Sequence, residues 1–190
     1  MTDAAGLLGT AVQAAAARAG RTRVVAIDGR SGAGKTLLAS QVRTRLGAPV
    51  VSLEGLYGGW DGLEHGIDLL VSEVLVPFAG ERAARVPRYD WLTREWAEPV
   101  LLEPPELLIV EGAGAGARRA AAFESLVVWL EAAPSVRKKR ALDRDGDTFA
   151  PYWDMWAAQE DAMLARERTP ERADVVIDGL SGNVLRSQMP

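Results

Sequence analysis

Short, uninterrupted apolar runs alternate along this chain with longer stretches whose apolar residues recur every three or four positions. The runs at 24–27, 49–53, 107–110, 126–130 and 174–178 are brief and partly β-branched, which predicts strands buried on both faces. Between them, residues 35–46 carry Leu37, Leu38, Val42 and Leu46 on one helical face, and 67–78, 133–143 and 152–166 also read as helices. An alanine-rich stretch before the first strand, with Leu7, Leu8, Val12 and Ala15 at helical spacing and Gly20 as its stop, predicts a leading helix within residues 1–20.

Strands separated by helices imply parallel pairing through crossovers. The expected fold is therefore α/β, a three-layer sandwich around a mostly parallel central sheet. Residues 81–105 break the alternation: 85–89 and 98–102 resemble two extended segments around a polar turn, and we read them as an inserted hairpin. At 190 residues the chain is sized for one domain, 1–190.

Composition narrows the chemistry. The formal net charge is −4, so no global basic field invites nucleic acid or an anionic membrane. There is no cysteine, which removes thiolate chemistry and zinc-thiolate sites, and the single histidine, His65, argues against a histidine metal cluster or a Ser-His-Asp triad. Residues 1–20 lack the basic and strongly apolar regions of a secretory signal, and no stretch reaches the roughly 18 to 20 apolar residues of a membrane span. A cytoplasmic protein is expected, with carboxylates, Lys, Arg, hydroxyls and backbone doing any chemistry.

Residues 29–36, Gly29-Arg30-Ser31-Gly32-Ala33-Gly34-Lys35-Thr36, satisfy G-x-x-x-x-G-K-[ST] between a strand and a helix. Glycines let successive N–H groups curl inward toward phosphate oxygens, and the following helix adds its N-terminal amides and dipole. Lys35 then supplies charge for the β- and γ-phosphates of ATP, and the Thr36 hydroxyl is placed for Mg2+.

In an open α/β sheet the ligand crevice lies beyond the carboxyl ends of the strands. Glu54 follows the second strand there, either as acceptor of a substrate proton and water-mediated help to the metal, or as a solvated loop acid. Glu111 ends the strand at 107–110, where a carboxylate helps hold magnesium or simply caps a loop. Arg137, Arg140 and Arg144 share a helical face suited to a phosphate chain, or to ordinary solvated ion pairs. Trp60, Trp91 and Trp96, three of six tryptophans, either stack on a substrate or cover the core.

From about residue 23 to 179 these pieces resemble the uridine kinase and phosphoribulokinase branch of the phosphate-loop kinases. Ser52-Leu53-Glu54-Gly55-Leu56-Tyr57 is similar to that family's Ser-x-Asp-x-x-Tyr segment, with Glu54 in place of its proposed catalytic aspartate. Pro87-Arg88-Tyr89-Asp90-Trp91 looks like its Pro-x-Tyr-Asp-Phe segment, Glu111-Gly112 like its acid after the metal-binding strand, and 136–145 like its arginine-rich lid helix. Departures occur at Arg94 and Trp96, which occupy positions serving the pyrimidine in the family, and at Ala141, which replaces a lid arginine.

The resemblance implies Mg2+-assisted transfer of the ATP γ-phosphoryl group to a hydroxyl of a small molecule, with a lid over 137–150. Lys35, Glu54, Arg140 and Arg144 are the expected catalytic residues, and residues 29–36 with Arg137 hold the nucleotide. Thr36, Glu54 and Glu111 serve the metal, and Tyr57, Tyr89, Asp90 and Arg94 contact the acceptor. Arg94 in place of a histidine suggests an acceptor with negative charge and poor use of uridine and cytidine. The alternative is a regulatory or assembly ATPase with no small-molecule acceptor.

Overall fold

A computed structural model of the chain describes residues 4–188. The strands of its central sheet are β1 (Arg23–Gly29), β2 (Val50–Ser52), β5 (Leu107–Glu111), β6 (Leu126–Glu131), β7 (Val175–Asp178) and β8 (Val184–Ser187). Their order across the sheet is β2-β5-β1-β6-β7-β8. Neighbours pair in parallel except β7 and β8, which are antiparallel. The α/β class and the mostly parallel sheet are as the sequence pattern implies.

β1 shows why the runs are continuous. Val24 and Ala26 join the core on one face of the sheet, and Val25 and Ile27 join the core on the other. The second face is closed by Leu8 and Val12 of α1 (Ala4–Ala14) and by Leu38, Ala39 and Val42 of α2 (Lys35–Leu46). Over the first face lie α3 (Leu63–Leu69), a π turn (Leu70–Leu75), α4 (Val76–Ala79) and α6 (Trp153–Glu167), which contribute Ile67, Val74, Phe78, Trp156 and Met163.

Several boundaries differ from the pattern. The leading helix stops at Ala14, and the part of it expected at residues 1–3 lies outside the described residues. The helix expected at 67–78 starts at Leu63 and widens into the π turn just before Pro77, whose ring and missing N–H do not fit a regular helix interior. β8 is an addition: Val184-Leu185-Arg186-Ser187 is too short and mixed to declare itself, and it exists as an antiparallel edge on β7.

The inserted hairpin is present as β3 (Ala84–Asp90) paired antiparallel with β4 (Glu95–Leu102). Its register shifts between Val86 and Arg88, at Pro87, which has no N–H for the ladder. α5 (Pro134–Asp145) and two 3-10 turns, Gly146–Thr148 and Ala150–Tyr152, fill the region expected as a lid and lead into α6. No helix of the described residues is long and apolar enough to cross a membrane.

Candidate active site

Gly29 to Thr36 close the carboxyl end of β1 and enter α2, as the motif requires. Gly32 and Gly34 have φ of +79° and +104°, a region open chiefly to glycine. A Cβ on Gly32 would also lie 2.2 Å from the Arg137 carbonyl oxygen, so α5 presses directly on the loop. Lys35 folds back and donates from Nζ to the Arg30 carbonyl at 3.1 Å.

Glu111 sits 3% exposed at the end of β5. Its Oε1 accepts from the Ser52 hydroxyl at 2.5 Å and its Oε2 from the Thr36 hydroxyl at 3.3 Å. One carboxylate and two hydroxyls are hard oxygen donors, which suits Mg2+ completed by water and phosphate oxygens rather than an all-protein cage. Among the described residues no group of three or more His, Cys, Asp or Glu is gathered for a metal ion. Glu54 stands apart from this group, about half exposed, with Arg144 at 3.5 Å.

The three arginines of α5 all turn toward the phosphate loop side, each with its own acceptor. Arg137 is buried and donates to the carbonyls of Ala132 at 3.1 Å and Ser31 at 3.3 Å; burial, and then the charge of Arg30, lowers its pKa from the ordinary value. Arg140 donates to the Gly179 carbonyl at 2.9 Å. Arg144 pairs with Asp145 at 2.7 Å and with Glu54.

A cavity of about 550 Å³ opens beside the loop. Lys35, Ser31, Glu54, Tyr57 and Arg144 line it, together with Trp60, Trp91, Phe149 and Trp156. Tyr57 is buried; burial first, then the Glu54 and Glu111 carboxylates, push its pKa well above the usual phenol value, so it stays a donor and bonds the Ala113 carbonyl at 3.0 Å. Gly112 allows this approach, because a Cβ there would lie 3.0 Å from the Tyr57 hydroxyl oxygen and 2.6 Å from Leu53 Cβ.

The remaining acceptor candidates lie elsewhere. Tyr89 and Arg94 line a second cleft of about 380 Å³ that shares Trp60 and Trp91 with the first but contains neither Lys35 nor Glu54. Asp90 uses Oδ1 to accept the N–H groups of Leu92 at 2.8 Å and Thr93 at 3.2 Å, closing the hairpin turn. Trp60 packs nearly parallel to Phe149 and Tyr152, at 5.0 and 4.9 Å between ring centroids, and touches Trp91 at 4.6 Å. It therefore ties the 146–152 turns to the hairpin.

Two buried acids that bond the phosphate loop escaped the motif reading. Asp28, fully buried at the end of β1, accepts the N–H groups of Gly29 at 2.6 Å, Gly114 at 2.9 Å and Gly116 at 3.0 Å. Burial raises its pKa, while those three bonds and Lys35 pull it back. Glu160 of α6, 1% exposed, accepts the Ser31 N–H at 2.7 Å, the Trp156 indole N–H at 3.0 Å and Arg30 Nε at 3.1 Å. An acid inside an apolar strand run, and acids on the Trp153-Trp156-Met163 stripe, were the available signals.

No family model matches the chain, and no curated protein matches it by sequence. Solved structures do. A protein described as a possible uridine kinase from Bacillus stearothermophilus superposes with a TM-score of 0.68 at 23% identity, over 93% of this chain and 98% of that one. A protein provisionally assigned as a fructose transport system kinase from Silicibacter sp. TM1040 gives 0.60 at 19% identity, over 91% and 96%. The chain thus has the fold of the uridine kinase-like phosphate-loop kinases.

Proposed function

We propose that this protein transfers the γ-phosphoryl group of ATP to a hydroxyl of a small molecule. The observation that carries the reading is that one cavity is lined by both Lys35 of the phosphate loop and the carboxylate of Glu54. The loop amides and Lys35 hold the triphosphate, and Glu111 with Thr36 and Ser52 would hold a magnesium ion, which would neutralise phosphate charge when bound. Glu54 accepts the proton of the acceptor hydroxyl; the oxygen bonds to the γ-phosphorus as the bond from that phosphorus to the β-γ bridging oxygen breaks, and ADP leaves.

Arg144 orients Glu54 through their ion pair and, with Arg140, spreads the charge of the transferring group. The aromatic wall keeps water from the reacting atoms, so that hydrolysis does not compete. The fold shared with kinases at low identity supports this reading. Its test is ADP production from MgATP by wild type, Lys35→Ala and Thr36→Ala with a panel of alcohols. Loss of acceptor-dependent ADP in both variants is expected, and wild-type turnover in both defeats the assignment.

A further inference from the structure

Building on the kinase reading, we infer that the acceptor is a neutral alcohol with an aromatic or otherwise flat apolar body, not a nucleoside or a sugar. Tyr57, Trp60, Trp91, Phe149 and Trp156 form one wall of the cavity beside Lys35. Three of their polar atoms are already consumed within the protein. The Tyr57 hydroxyl donates to Ala113, the Trp156 indole N–H to Glu160, and the Trp91 indole N–H to the Glu54 carbonyl at 2.8 Å. Apart from the Trp60 indole N–H, that wall therefore offers ring faces and edges where a pyrimidine edge or a run of sugar hydroxyls would need partners, and unpaired polar groups on a buried substrate lower its binding steeply.

The charged lining of the cavity is balanced, and Ser31 and Thr148 add two hydroxyl-bearing residues beside it. Arg144 pairs with both Glu54 and Asp145, and the cavity's two cations, Lys35 and Arg144, are matched by these two carboxylates. Such a balance gives no net attraction to an acceptor that is itself an anion or a cation. Arg94, the residue that suggested an anionic acceptor, faces the second cleft instead. One hydroxyl-binding pole and one aromatic pole define an amphipathic acceptor, its hydroxyl at Glu54 and its ring among the tryptophans.

The test is ADP release from MgATP with 2-phenylethanol and indole-3-ethanol against uridine, fructose and glycerol 3-phosphate, with the phosphorylated product followed by phosphorus NMR and MgATP binding followed by calorimetry. An aryl alcohol is expected to raise ADP release at least about tenfold over the acceptor-free rate, with the other three near that rate. Trp91→Ala should raise KM for the aryl alcohol about tenfold and leave KM for ATP unchanged, and Trp91→Phe should restore it. Stimulation by uridine, fructose or glycerol 3-phosphate alone overturns the inference, and so does a protein that binds MgATP but responds to none of the five. Failure to bind MgATP overturns the kinase reading beneath it as well.

Discussion

The carboxylate of Glu160 accepts the backbone N–H of Ser31 at 2.7 Å, so a helix near the end of the chain holds a residue of the phosphate loop by its main chain. The same carboxylate takes Arg30 from the loop and Trp156 from the cavity wall. Replacing it by alanine leaves the Ser31 and Trp156 N–H groups without their acceptor, while Arg30 keeps Asp161 and the Ala157 carbonyl. Glu160→Ala should therefore destabilise the protein by about 2 to 5 kcal/mol in urea unfolding, whereas an exposed ion pair lost on the same helix would cost about 1 kcal/mol or less.

Gly32 is predicted to be irreplaceable, for a reason separate from its backbone angle. Gly32→Ala combines a left-handed conformation with a Cβ 2.2 Å from the Arg137 carbonyl oxygen. Gly47, at the end of α2 with φ of +66°, has nothing within 4 Å of the place a Cβ would take and serves as control. Gly47→Ala should cost only about 1 to 2 kcal/mol of stability and keep MgATP binding, while Gly32→Ala should abolish binding in calorimetry.

Glu124 makes stability depend on pH. It is 3% exposed, neither carboxyl oxygen has a hydrogen-bond partner, and burial, then the charge of Asp28, raises its pKa well above the usual carboxylate value. An acid whose folded pKa is raised contributes stability fully present below the unfolded value, near 4.5, and lost as pH rises through the folded value. Wild type should thus lose stability on going from mildly acidic to alkaline buffer. Glu124→Gln, an uncharged mimic of the protonated acid, should flatten that slope, as read from urea midpoints across the range.

Much of the fold is legible because buried parallel strands leave continuous apolar runs, as at Val24 to Ile27. The phosphate loop is legible because its backbone demands glycine at Gly32 and Gly34. What the chain conceals is pairing over distance. Ser31 and Glu160 are 129 residues apart, and nothing local to either reveals the other. Asp90 and Arg94 stand in a stretch resembling an acceptor segment, yet Asp90 closes its own turn and Arg94 takes the positive φ, +57°, that ends it. Turn geometry thus engages Asp90 Oδ1 and the Arg94 backbone in a stretch that motif spacing assigns to a substrate.

Glu54→Gln separates binding from chemistry. The amide keeps the size of the side chain but loses the proton acceptor and the ion pair with Arg144. MgATP affinity should stay within a few-fold, and the rate of phosphoryl transfer should fall about 100-fold or more in single-turnover kinetics.

The most direct measurement follows the labelled γ-phosphoryl group of ATP with a panel of alcohols, in wild type and in Lys35→Ala. Phosphoryl transfer at this site predicts label covalently bound to an acceptor oxygen with wild type and its absence with Lys35→Ala. Label appearing only as inorganic phosphate, at a rate no alcohol changes, would contradict it.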